Sequence, residues 1–254
     1  MSMKTPKKVL AILMQTFFHG NEKGVPVMLL SDPGEGKTEI IGQITTQLQS
    51  DIKERLSLEL PIGYKHFCAT QHLCEDVGGI GVPDYDRGTV SMLPLDFVKS
   101  LSEMKHGVLF VDELLSASLE MGAALQSVVS DHRFGPHKLS PGVAIVLASN
   151  PVESGTNARP MSAAEASRIV QIPWKLDFED WCDYRRGGKG AVQDLPIVAP
   201  NWAEHYSGRV QTLIETYLRT SARGADGNPS AFRSLPEAHE QHRPWPNPRT
   251  WELC

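Results

Sequence analysis

The stretch Val25-Pro26-Val27-Met28-Leu29-Leu30-Ser31-Asp32-Pro33-Gly34-Glu35-Gly36-Lys37-Thr38-Glu39 decides the fold. Its first six residues are almost wholly apolar, which predicts a buried parallel strand. From Glu39 to Ile52 the apolar residues Ile40, Ile41, Ile44, Leu48 and Ile52 fall at helical spacing. A strand, a glycine-containing loop, Lys-Thr and a helix, in that order, make the architecture of a P-loop. The loop residues Asp32, Pro33, Gly34, Glu35 and Gly36 would wrap a phosphate chain with their N–H groups, at the positive end of the helix that Lys37, Thr38 and Glu39 begin. Gly34 and Gly36 allow torsions and close approaches that a side chain would block. Lys37 can reach terminal phosphates, and the Thr38 hydroxyl can ligate magnesium. Serine stands at position 31, where the motif has glycine.

Working outward, apolar runs recur at Gly107–Val111 and Val143–Ala148, and a shorter one at Ile169–Ile172. Tyr64–Ala69 reads as a further strand. Helical spacing appears over Lys7–Phe18, Leu95–Met104, Leu119–Val129 and Ser162–Arg168. Alternating strands and helices predict an α/β fold, a parallel sheet with helices on both faces. Asp84–Met92, with Asp86-Arg87-Gly88 at its turn, and Arg133–Leu139 read as small hairpins. Past Trp174 the character changes, and Arg185-Arg186-Gly187-Gly188-Lys189-Gly190 reads as a linker. We expect a nucleotide-binding core over residues 1–190 and a smaller C-terminal piece over 191–254, containing a helix over Trp202–Arg219.

Composition narrows the partners. The chain has 254 residues, 41% hydrophobic and 22% charged, with a net charge of −5. That is ordinary for a globular protein and gives no overall basic surface for nucleic acid or anionic lipid. No apolar run approaches a membrane span, so membrane insertion is not expected. Cys68, Cys74, Cys182 and Cys254 show no disulfide-framework spacing, which fits a reducing cytoplasm. His66, Cys68, His72 and Cys74 could hold zinc, but two of them lie on an expected buried strand where cysteine is at home.

Chemistry enters at the ends of the strands. Val108-Leu109-Phe110-Val111-Asp112-Glu113 closes an apolar run on two acids, at the strand end where α/β sheets bind ligands. Asp112 would hold magnesium and Glu113 would polarise an attacking water. Asn150, after Val143–Ala148, could hydrogen-bond both a γ-phosphate oxygen and that water.

The order Pro33-Gly34-Glu35-Gly36-Lys37-Thr38, Val108–Glu113, Leu147–Pro151, Arg168 and Pro246–Glu252 resembles an AAA+ ATPase, and within that superfamily the MoxR branch. The resemblance implies a P-loop AAA+ core with a small α-helical lid, ATP and Mg2+ as cofactors, and a homo-oligomeric ring, expected to be a hexamer. It implies that Arg168 is an arginine finger acting on a neighbouring subunit, with Arg159 and Arg133 as rivals, and that Arg249 is a sensor of the same subunit's phosphates. The lid helix should continue beyond Arg249, so with the end at Cys254 the expectation is either a truncated chain or an abbreviated lid. MoxR-like proteins commonly work with a von Willebrand factor A domain protein, so the implied output is remodelling or assembly of a protein partner, with the two hairpins facing it. The alternatives are a nucleic-acid translocase on the same core and a nucleotide-gated scaffold without turnover.

Overall fold

The computed structural model describes residues 5–18, 24–188, 192, 194–200, 212 and 215–220. It is an α/β protein built on a five-stranded sheet. In chain order, α1 (Thr5–Phe18) leads into β1 (Val27–Leu30) and α2 (Lys37–Leu56). β2 (Gly63–Cys68) precedes α3 (Cys74–Gly78), and the ribbon of β3 (Ile80–Asp84) and β4 (Thr89–Leu93) follows. α4 (Asp96–Glu103), β5 (Gly107–Asp112) and α5 (Leu119–Asp131) come next. A tight hairpin, β6 (Arg133–Phe134) and β7 (His137–Lys138), leads to β8 (Val143–Ser149). The single turn α6 (Ala163–Ala166), β9 (Val170–Pro173) and α7 (Phe178–Arg185) complete the series.

The sheet order is β2-β5-β8-β1-β9, and every pairing in it is parallel. β5 and β8 lie inside the sheet, and from Val108 to Val111 and from Val143 to Ser149 their residues are buried. That explains why they read as unbroken apolar runs rather than alternating ones. α2 buries Ile40, Ile41, Ile44, Leu48 and Ile52, the positions its spacing selects. Glu39 in its first turn and Lys53 and Arg55 in its last suit the helix dipole. α1 buries Leu10, Met14, Phe17 and Phe18 and packs on β8 and β9.

Several boundaries differ from expectation. β1 starts at Val27, after Pro26, which has no N–H for a ladder bond. α6 is one turn rather than a helix over Ser162–Arg168. Its capping box, with Ser162 and Glu165 satisfying each other's N–H groups, fixes the start, and Ser167 already caps the end. The first hairpin begins at Ile80, because Gly81 and Pro83 hide the strand from a propensity reading while pairing with Met92 and Val90. Residues 178–185, expected to lie between Trp174 and a linker, form α7, capped by Asp177. Of the helix expected over Trp202–Arg219, Thr212 and residues 215–220 are described, and they are helical. Arg249 and most of the expected lid lie outside the described residues.

Candidate active site

The sheet order places the chemistry. β8 lies between β1 and β5, so Asn150, just past β8, falls between the loop after β1 and the acids after β5. Lys37 Nζ donates to Asn150 Oδ1 at 2.8 Å, and Thr38 Oγ1 donates to Asp112 Oδ2 at 3.1 Å. Lys37 also donates to the Ser31 carbonyl at 2.8 Å, the Ser31 hydroxyl at 3.1 Å and the Asp32 carbonyl at 3.2 Å. Serine in place of glycine at position 31 thus adds a side-chain acceptor for the lysine. Burial holds the Lys37 ammonium below its usual pKa, against Asp112, Asp32, Glu35 and Glu113, which favour the charge.

The loop has room for a ligand. Gly34 and Gly36 have φ of 85° and 71°, the left-handed region that glycine enters without strain. A Cβ built on either meets no atom within 4 Å, so the space beside each glycine is open. Asp32, Pro33 and Gly34 are exposed, and Glu35 is half-buried with its carboxylate turned away toward Leu176. Glu39 is exposed and accepts from Gln43 and from the Tyr184 hydroxyl. The hydroxyl of Thr38 and the carboxylate of Asp112 form a hard oxygen pair of the kind magnesium prefers, so the residues present fit that ion. Around Asp112, Oδ1 accepts the Glu113 N–H at 2.9 Å, and His66 Nε2 lies 3.7 Å from Oδ2. Tyr64 is pushed up to about 12 by burial, with Asp112 and Glu39 adding to the effect.

Glu113 occupies the left-handed region at φ 56°. For a residue with a Cβ that costs about 1–2 kcal/mol, held in place by its surroundings. Its carboxylate accepts from Thr70 Oγ1 and from the Cys68 thiol, the latter at 3.6 Å. Cys68 ends β2, in register with Asp112, and Thr70 stands two residues beyond it. Thr70 is a neighbour that sequence reasoning missed, because parallel register is not written in either strand. In the sequence, Cys68 stands out only beside His66, His72 and Cys74. In the fold those four side chains turn to separate partners: His66 stacks on Phe110, His72 on Phe67, and Cys74 donates to Glu75.

The three candidate finger arginines differ. Arg159 makes a two-pronged ion pair with Glu165, at 2.7 and 3.0 Å, in which the side chains are 17% and 10% exposed. Arg133 donates to the Pro136 carbonyl inside its own hairpin. Arg168 is half-buried, donates to the Ala164 carbonyl at 2.6 Å and borders a shallow pit with Leu114, Leu125 and Ile169. It therefore sits against α5.

No protein-family profile matches the sequence, and no curated protein does. Among solved structures, the chain is similar to a candidate ATPase from Cytophaga hutchinsonii, over 85% of this chain and 69% of that one, at 15% identity and a TM-score of 0.44. It is also similar to the Aeropyrum pernix ORC1 protein, solved in complex with DNA, over 66% of this chain and 44% of that one, at 16% identity and a TM-score of 0.40. Neither assigns a role to any residue here. Among the described residues, no helix is long and apolar enough to cross a membrane.

Proposed function

We propose that the chain is an AAA+ ATPase of MoxR-like type that hydrolyses ATP and spends the energy on a partner protein. The observation that carries this reading is the convergence of Lys37, Thr38, Asp112 and Asn150, from three different strand ends, into hydrogen-bonded pairs of 2.8 and 3.1 Å. A polyanion entering the loop would take the Lys37 ammonium from the Ser31 and Asp32 carbonyls, which are weaker partners for a cation than phosphate is. The loop N–H groups would hold the phosphates, and Asn150 would meet the terminal one. Magnesium, held by Thr38 and Asp112, would neutralise charge between the outer phosphates. Glu113 would orient the attacking water and take its proton, for which its carboxylate must turn from Thr70 and Cys68.

Arg168, beside α5, is the arginine we assign to the neighbouring subunit's site. Arg159 is committed to Glu165, so Arg168 is favoured over it. A ring, hexameric in this reading, follows from a finger given in trans, because each site is then complete only at an interface. Arg249 would contact the phosphates of its own subunit. The partner would be a protein, with a von Willebrand factor A domain protein as the first candidate. The β3–β4 ribbon, with Ile80, Tyr85, Val90 and Leu93 more than half exposed, is the surface we assign to it.

The test is ATP binding and turnover in Glu113→Gln and Lys37→Ala. The glutamine variant is expected to hold ATP while turnover falls about a hundredfold or more, and the alanine variant to lose binding. Turnover in Glu113→Gln equal to the parent's would remove the hydrolytic role, and undiminished binding in Lys37→Ala would remove the site.

A further inference from the structure

The phosphate loop is fastened on two sides. On the inside, Lys37 bonds the carbonyls of Ser31 and Asp32. On the outside, Glu35 is held twice by the chain that leaves β9. Its carboxylate Oε2 accepts the Leu176 N–H at 2.7 Å, and its main-chain carbonyl accepts the indole N–H of Trp174 at 2.8 Å. The backbone N–H of Trp174 donates to Leu30, the last residue of β1, at 2.8 Å. Trp174 is 7% exposed, and both bonds to Glu35 are partly buried.

Glu35 also stands between the two left-handed glycines, Gly34 and Gly36. Torsional freedom in the loop is concentrated at those glycines, so reseating the loop on a ligand swings the Glu35 peptide between them. Whatever Glu35 holds must then follow or let go. Leu176 leads at once into Asp177, which caps α7 by accepting the N–H groups of Glu179 and Asp180. The far end of α7 returns to α2 through the Tyr184 hydroxyl and Glu39, at 3.1 Å, and its first turn is pinned to α1 by Lys7 and Asp180, at 2.6 Å.

We propose that Glu35 is a positioning residue that couples the phosphate loop to Trp174–Leu176 and α7, so that the occupancy of the loop is passed to the chain leaving the core. This rests on the nucleotide reading above. It differs from a static brace in one respect: the segment 174–185 must respond to the ligand, and chiefly through the Glu35 carboxylate.

Amide hydrogen exchange on the full chain tests this, with and without ATP and magnesium, using Glu113→Gln as parent so that the nucleotide persists. In the parent, ATP is expected to slow exchange at residues 31–45, and at 174–185 by about threefold or more. With Glu35→Ala added, slowing at 31–45 is expected to persist, because alanine keeps the main-chain N–H offered to phosphate, while the response at 174–185 falls by about half or more, the Trp174 bond to the main-chain carbonyl remaining. Glu35→Gln, whose amide oxygen still accepts from Leu176, is expected to restore it. An undiminished response at 174–185 in Glu35→Ala overturns the coupling and leaves the nucleotide reading standing. No slowing at 31–45 in the parent overturns both. Should Glu35→Ala fail to fold, Trp174→Phe carries the test, because it removes the indole donor alone. Its response at 174–185 is expected to be reduced, and one equal to the parent's overturns the proposal.

Discussion

Arg159→Ala tests the reading of the arginines through stability rather than turnover. The guanidinium grips Glu165 with two bonds of 2.7 and 3.0 Å, and both side chains are largely shielded from water. Breaking one partner of a buried pair costs about 3–5 kcal/mol, chiefly because the other charge is left uncompensated. Here the carboxylate keeps the Ser162 N–H at 2.8 Å, so the lower end applies, about 3 kcal/mol. For a domain of this size that is a fall of roughly 6–12 °C in melting temperature. The pH dependence sharpens the test. Burial alone would raise the Glu165 carboxyl, but hydrogen bonds from Arg159 and Ser162 outweigh it and hold the group below its ordinary value of 4.5. A depressed carboxyl contributes stability that is present above its unfolded pKa and lost as pH falls through the folded one. Without Arg159 burial dominates, the carboxyl rises, and protonation relieves the penalty. The deficit between variant and wild type, measured by urea unfolding, is therefore expected to be largest at neutral pH and to narrow toward pH 4.5 and below. A deficit under about 1 kcal/mol at pH 7, or one that widens with acid, would refute the ion-pair argument. A double replacement by methionine is expected to recover most of the loss, since apolar substitutes of similar volume avoid the buried charge.

Mixing Lys37→Ala with Arg168→Ala, each inactive alone, is expected to restore part of the ATPase activity, because one supplies the finger and the other the intact loop. No recovery in a mixture shown to co-assemble would exclude Arg168 as a residue acting in trans. Thr38→Ala is expected to raise the magnesium concentration needed for half-maximal turnover by about tenfold, and an unchanged magnesium titration would remove Thr38 from the ion's ligands. Gly135→Ala should destabilise the protein by about 2 kcal/mol or more, read from the urea midpoint. Its φ is +54°, and a Cβ there would stand 2.6 Å from the Val77 carbonyl and 2.9 Å from the Gly78 Cα, atoms of another backbone segment.

The sequence by itself determined the pieces of the core. β5 and β8 were legible because strands buried on both faces need apolar side chains at every position, and α2 because one buried stripe recurs every three to four residues. Lys37, Thr38, Asp112, Glu113 and Asn150 were legible as candidates because each stands at a fixed step from the end of such a strand. The tertiary structure alone decided who meets whom. Thr70 reaches Glu113 through the register of β2 on β5, and Trp174 reaches Glu35 because β9 lies beside β1. Arg159 is bound to Glu165 six residues away because the α6 turn folds back on it, a pairing that no spacing in the sequence marks. The physical reason is common to all three. Periodicity and motif spacing record what a residue needs from its own strand or helix, whereas register, strand order and the path of a loop are settled by packing between segments far apart in the chain.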